Sequence, residues 1–531
     1  MRQSFTRKIR NAILFVTLTS MLTSCGKETT APVVDDLAGA EQTQYPIKTD
    51  AKLTYWISNM APIGEYTDRS QFPWYQKWQE KTGVKIDFKF PALGQDQQQF
   101  NILIASGDLP DIMEYQPGWL VGSWDKTIED GYFANIKDLF DYSPNYKKLL
   151  DENPDFAKRI RTNEGNYISY TAFLEPGYLN DMAAVCGPIF REDWLKELNL
   201  PVPETIDEYY TTLKAFKNKE GVTAPAIIRS DYLATVVSNA CGVGTAFYQE
   251  NGKVKFGPIE PGYKDIIATV SKWYDEGLLD PHIASLDSKT TDYAMLNGKS
   301  GMSFGYIGSS IGAWTNNAKS KNPDFSLVGA PYPVANKGEK PKFTMMQAVQ
   351  ATNASISAKS EYKELAARFL DYGYSKEGHD FFNFGIEGET YTVVDGYPQY
   401  TDLILKNPDG LAIAQAMCLH IRGNGPSPSI QDHRYIEQYY QLPAQQSALN
   451  TWKNADTLDY QLPPFKLTDE ENTEFAKIMA DINTYVSESY LKFLLGKQPI
   501  SEFDNFVAII KSLNIDRAIE IQQNALDRYN K

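Results

Sequence analysis

Three short motifs in this 531-residue chain have residue types and spacings that could do chemistry. Gly308-Ser309-Ser310-Ile311-Gly312 satisfies G-x-S-x-G, the pattern that lifts a nucleophilic serine on a tight turn after a strand, and the strand-like "SGMSFGY" precedes it. Such a serine also needs an oxyanion hole. No HGGG-type stretch precedes this one, so Ser310 reads as part of a glycine-rich turn. "NGKSG" (297–301) carries the Gly-Lys-Ser of a phosphate-cradling loop, but Tyr293 stands where the first glycine is required to wrap phosphate with backbone amides. Asp108 and Asp111 could be imagined as the two carboxylates of a glycosidase. Asp108 more simply makes the turn after a helix, and Pro110 fixes the start of a strand. No catalytic residue is assigned, and the chain is expected not to be an enzyme.

Metal and disulfide chemistry are equally thin. His282, His379, His420 and His433 are scattered and form no HExxH or other close ligand spacing. After Cys25 there remain Cys186, Cys241 and Cys418, an odd number with no CxxC pair, so one bridge or three buried thiols are both open. No cofactor is expected.

The first cysteine is different. Arg2, Arg7, Lys8 and Arg10 precede the apolar run "NAILFVTLTSML", too short to cross a bilayer core of about 30 Å, so residues 1–24 read as an export signal. Leu22-Thr23-Ser24-Cys25 resembles the bacterial lipobox, which implies a diacylglyceryl Cys25 as the mature N-terminus. Gly26 after it fits display on the outer face of the cell membrane. Removing residues 1–24 moves the net charge from −15 to −19, a surface that repels nucleic acid. Residues 25–50 are polar and aperiodic, as a flexible tether would be.

The body exceeds the roughly 250–300 residues that one core supports, so two lobes are expected. "LTYWIS" (53–58), "QFPWYQKWQEKTG" (71–83), "VKIDFKF" (84–90), "QDQQQFNILIASG" (95–107) and "PDIMEY" (110–115) give the order β-α-β-α-β, hence a parallel sheet. Thr205 and Glu208 stand at capping-box spacing, and the C-terminal third is mainly helical. Many of the 33 Tyr, 26 Phe and 9 Trp must be core, but Tyr and Trp beside Gly, Asn and Asp also suit stacking on sugar faces, and composition leaves both readings open.

Longer stretches carry a family resemblance: "ASGDLPDIMEY", "IFREDWLKELNLPVPETIDEYYTTLKAFK", "GKSGMSFGY" and "NFGIEGETY". With them the chain resembles the extracellular solute-binding lipoproteins of bacterial ABC importers, in the oligosaccharide-binding branch labelled LipO-like. That resemblance implies an α/β, two-lobe periplasmic-binding-protein-like fold of type II, with a ligand cleft between hinge-linked lobes and a helix-rich C-terminal third. Lobe one should take 51–170 and 335–375, and lobe two 171–334 and 376–531. It implies a monomer that binds an oligosaccharide and docks on membrane permease subunits. A peptide receptor of the same fold and a secreted carbohydrate hydrolase are the alternatives.

Position in the resembled fold marks candidate ligand contacts. They are Trp56 and Asn59 after the first strand, Glu114, Tyr115 and Trp119 after the third, and Tyr170 on the hinge strand. Tyr306 and Trp314 flank the glycine-rich turn, and Glu387 and Tyr391 lie in "GIEGETY". Relatives carry a calcium loop after the "LKAFK" helix. Here that segment (218–227) has Glu220 as its only acid, too few oxygen ligands, so no metal is expected.

Overall fold

The computed structural model describes residues 44–58, 68–92, 94–120, 122–319, 321–346, 350–422 and 428–531. Cys25 and Asn59 lie outside the described residues. In the first half run strands β1 (Lys52–Ile57), β2 (Lys85–Lys89), β3 (Ile112–Tyr115), β4 (Tyr170–Leu174), β5 (Cys186–Arg191), β6 (Ala226–Ile227), β7 (Phe247–Glu250) and β8 (Lys253–Phe256). Strands β9 (Met302–Tyr306), β10 (Leu327–Gly329), β11 (Gln350–Ile356), β12 (Tyr391–Val394), β13 (Tyr397–Tyr400) and β14 (Ile430–Gln431) follow. They build a six-stranded sheet, β14-β4-β11-β3-β1-β2, a four-stranded sheet, β10-β5-β9-β6, and the hairpins β7-β8 and β12-β13. The architecture is α/β with two sheets, each the frame of one lobe.

The first lobe forms as its sequence dictates. β1 pairs parallel with both β2 and β3. Helix Pro73–Thr82 begins on proline at its first turn and buries Trp74, Tyr75, Trp78 and Thr82 along one face. Trp74 stacks on Phe381 at 4.8 Å and Trp78 on Phe369 at 4.4 Å. The helix stops at Gly83, whose φ of 76° and contact with the Ile47 backbone, 2.2 Å from where a Cβ would stand, admit no side chain.

Three chain segments depart from the expected layout. Residues 44–50, read as tether, are joined to the body: Tyr45 Oη donates to Arg368 O (2.8 Å), and the Ile47 amide to Thr82 O (2.8 Å). The first crossing falls after β4, which belongs to the six-stranded sheet, so it lies between 174 and 186 and not at 170. The stretch from 376 to about 432 stays with the first lobe, because Phe381 stacks on Trp74 and β14 hydrogen-bonds in parallel to β4. The chain joins the second lobe afterwards, where Trp452 Nε1 donates to Ala330 O (2.8 Å) beyond β10.

The second lobe packs Tyr209, Phe216 and Trp273 against its sheet, all buried. The helix Ile206–Lys217 opens with the expected box: Thr205 Oγ1 accepts from the Glu208 amide, and the Glu208 carboxylate accepts from Thr205 N. Cys186, Cys241 and Cys418 are free thiols.

Candidate ligand-binding site

A cavity of about 450 Å³ lies where the two sheets approach. The first sheet supplies Ile57, Ser58 and Glu114, and the second supplies Cys186 and Tyr306, from strand ends or just beyond them. Ligands of open α/β sheets bind in such crevices.

Strand parity decides which residues arrive there. Side chains alternate faces along a strand, and Ile57 is in register with Glu114 while Trp56 is in register with Met113. Ile57 and Glu114 therefore line the cavity. Trp56 and Tyr115 take the opposite face, buried with Phe100 and Phe133 beneath helix Asp96–Ser106. Trp56 Nε1 donates to Gln99 Oε1 (3.1 Å), and Tyr115 Oη is bonded to Ser355 Oγ (2.9 Å).

The other expected contacts among the described residues, Tyr306 excepted, also sit away from the cavity. Trp119 packs on Phe100 at 5.9 Å. Tyr170 is buried between Tyr146 and Tyr374. Trp314 is buried, its Nε1 donating to Asp292 Oδ1 (2.7 Å). Thr390 Oγ1 ties the Glu387 loop back on itself, accepting from Ile386 N (2.7 Å) and donating to Phe384 O (2.6 Å). Glu387 is left exposed, and Tyr391 is buried against Phe384. Of the nine proposed ligand contacts among the described residues, Glu114 and Tyr306 line the cavity.

Glu114 is half of a buried ion pair. Its partner is Arg422, the two side chains being 3% and 5% exposed. Tyr55 Oη donates to Glu114 Oε2 (2.9 Å), and the guanidinium lies 5.7 Å from the Trp78 ring and 6.0 Å from that of Trp74. Burial opposes the Arg422 charge, but Glu114 and the neighbouring tyrosines hold it above the ordinary guanidinium value. Burial, and then the Glu114 charge, push the Tyr55 hydroxyl well up. The floor of the cavity is thus a fixed, neutralised pair.

The second-lobe wall is softer. Tyr306 is 43% exposed, and burial followed by Cys186 pushes its hydroxyl up to about 12. After it the chain makes a π-turn over Ile307–Gly312, and Ser310 Oγ accepts the Tyr306 amide (3.2 Å). Ser310 thus closes the turn of the G-x-S-x-G stretch. Asp111 is structural as well, accepting from Thr54 N and Oγ1 (both 2.7 Å) and from Ser360 Oγ (2.5 Å). In "NGKSG", Lys299 Nζ donates to Gly221 O and Ser300 Oγ to Pro225 O.

A third wall went unread in the sequence. Helix His433–Tyr439, with the residue after it, brings Tyr435, Ile436, Tyr439 and Tyr440 to the cavity, Tyr435 and Tyr439 stacked at 5.6 Å. The signal was there in "HRYIEQYY", with tyrosines at i and i+4. Arg69, Tyr75 and Met345 also line the cavity. Ring faces and hydroxyls together suit a ligand with apolar faces and many hydroxyl groups.

Glu175, Asp432 and His433 place ligand atoms within 4.8 Å of one another beside β4 and β14. Burial works against the Asp432 charge, yet hydrogen bonds from Arg434 and His379 hold it below the usual carboxylate range. A metal ion there would have to displace the Arg434 guanidinium. In segment 218–227 the Thr223 and Ala224 amides are tied to Lys299 O (3.0 and 3.2 Å).

Comparison with known proteins places this geometry. The chain is 27% identical to Lipoprotein LipO of Bacillus subtilis (strain 168) over 362 residues, 64% of this chain and 68% of that one. It is 22% identical to the fructooligosaccharide ABC transporter substrate-binding protein FusA of Streptococcus pneumoniae serotype 4 (strain ATCC BAA-334 / TIGR4), across 98% of both. The crystal structure of alginate-binding protein AlgQ2 without calcium ion superposes with a TM-score of 0.73 at 24% identity, covering 90% of this chain and 98% of that one. Such likeness fixes the two-lobe solute-binding fold. Residues 63–380 match the bacterial extracellular solute-binding proteins, and the chain belongs to that family.

Proposed function

We propose that the protein captures an oligosaccharide in the cavity between its lobes and delivers it to the membrane subunits of an ABC importer. The observation that carries this reading is the wall of Tyr306, Tyr435, Tyr439 and Tyr440 over the neutralised Glu114–Arg422 floor. Rings stack on the C–H faces of sugars, each contributing on the order of 1 kcal/mol beyond burial, while hydroxyls bond at the edges. Family membership and the substrate named for the FusA relative support it. Lobe closure about the hinge is the motion such a receptor uses.

In this reading the receptor acts as a monomer and binds its ligand without chemistry, and the turn and strand contacts of Ser310 and Asp111 support a structural role for both. Cys25 carries the lipid, and the tether holds the body at the outer face of the cell membrane. Two acyl chains make that anchor durable, each buried CH₂ contributing about 0.8 kcal/mol. A relative bearing the name lipoprotein supports this part.

Thermal unfolding of residues 26–531 against oligosaccharides and peptides tests the reading. A ligand at about 100 times its Kd stabilises by about 2.7 kcal/mol. A saccharide shift is expected. A shift from peptides alone would replace the ligand class.

A further inference from the structure

A second cavity breaks the acidity of this molecule. In a chain of net charge −15, a pocket of about 270 Å³ is lined by Lys158, Arg161, Lys466, Arg528 and Lys531, and by no Asp or Glu. It sits on the seam between lobes. Helix Pro154–Ile160 belongs to the first, where Phe156 stacks on Phe173 of β4 at 4.3 Å. The C-terminal helix Ile515–Asn530 belongs to the second, where Gln523 Oε1 accepts the Val254 amide (2.8 Å).

Four of the five cations have no ion pair among the described residues; Arg528 is held by Glu471 (Nη1, 2.7 Å). Lys466 is the deepest. Its Nζ donates to Arg159 O (3.3 Å) and Pro464 O (3.0 Å) and lies 3.8 Å from the Trp124 ring, with no carboxylate against it. Burial lowers its ammonium to about 8. Arg528 Nε is buried with no acceptor among the described residues. Thr162 and Asn163 add a hydroxyl and an amide to the lining. Four cations without an acidic side chain against them, converging beside the Glu471-held Arg528 with polar donors between them, are the recognition chemistry of a multiply charged oxyanion.

We propose that this seam pocket binds a phosphate group, carried either by inorganic phosphate or by an anionic phospholipid headgroup. The site is separate from the cleft, and no Cleft residue named above lines it.

The test uses the mature chain. Inorganic phosphate is titrated against chloride and acetate at constant ionic strength while the unfolding midpoint is followed. Phosphatidylglycerol and phosphatidylcholine vesicles are offered in parallel to protein lacking its lipid. Phosphate should raise the midpoint saturably where chloride and acetate do not. Lys466→Met and the surface double Lys158→Gln/Arg161→Gln should each weaken it by about tenfold with the fold retained. The double variant guards against a Lys466→Met that fails to fold. Variant-sensitive capture by phosphatidylglycerol identifies a headgroup as the source, and a phosphate response without capture identifies the free anion. No saturable phosphate response together with no vesicle capture, or responses unchanged in both variants, overturns the proposal.

Discussion

Arg422 and Lys466 are both cations buried in an acidic molecule, yet their surroundings differ. Arg422 lies against Glu114, under Tyr55 and beside two tryptophan rings. Lys466 has carbonyl oxygens and one ring, but no acid. Taking a charge out of water costs several kcal/mol unless it is paired. At the cleft the protein supplies that partner itself, which leaves a rigid, electrically quiet floor under the aromatic walls. At the seam it does not, and the missing partner is what points outward to a ligand. A buried charge that the chain neutralises is framework, whereas one it leaves unanswered is a candidate site.

Breaking the cleft pair should have the largest effect. Arg422→Leu leaves the Glu114 carboxylate buried without its opposite charge and should destabilise by about 3–5 kcal/mol in urea unfolding, with part of the loss recovered when Glu114→Leu is added. A loss below about 1 kcal/mol would place the pair with ordinary surface bridges.

The aromatic walls should matter to ligand more than to fold. Tyr306→Ala and Tyr439→Ala are each expected to raise Kd for a bound saccharide by about tenfold, roughly 1.4 kcal/mol, as calorimetry would record. Because Tyr306 is 43% exposed, its unfolding midpoint should hardly move. Gly308→Ala is a subtler probe. Its new Cβ would stand 2.6 Å from Tyr439 Oη and must push that ring aside, so affinity should fall a few-fold with the fold intact.

The smallest effect is a pH signature at the seam. Folding lowers Lys466 from the ordinary lysine value to about 8, so between about 8 and 10.5 the unfolded chain binds more protons than the folded one. Stability from this group therefore rises with pH across that window. In phosphate-free buffer the wild type should gain on Lys466→Met between pH 8 and 10, and added phosphate should erase the gain by holding the lysine charged. A stability difference that stays flat with pH would mean that Lys466 is already neutralised.

Much of the first lobe was legible because its signals are local. Pro73, Gly83 and Gly107 punctuate helices where expected, and in the second lobe Thr205 with Glu208 likewise makes its capping box. The second lobe's cleft contact Tyr306 was also readable, at the end of a strand before a glycine-rich turn. Parity was the weak point. "After a strand" does not say which face a residue takes, and one position separates Trp56 in the core from Ile57 in the cavity. The helix bearing Tyr435 and Tyr439 was harder. It reaches the cleft because β14, two residues long, joins β4 across about 250 positions of sequence, and so short a strand has no pattern of its own. Arg422 was invisible for the same reason, since its partner lies 308 residues away.

Calorimetric titration of residues 26–531 with a panel of oligosaccharides, each ligand recovered and analysed afterwards, tests the central claim most directly. The account predicts saturable binding of at least one saccharide, returned chemically unchanged and held more weakly by Tyr306→Ala and Tyr439→Ala. Cleavage of the bound sugar, or full affinity retained in both variants, would contradict it.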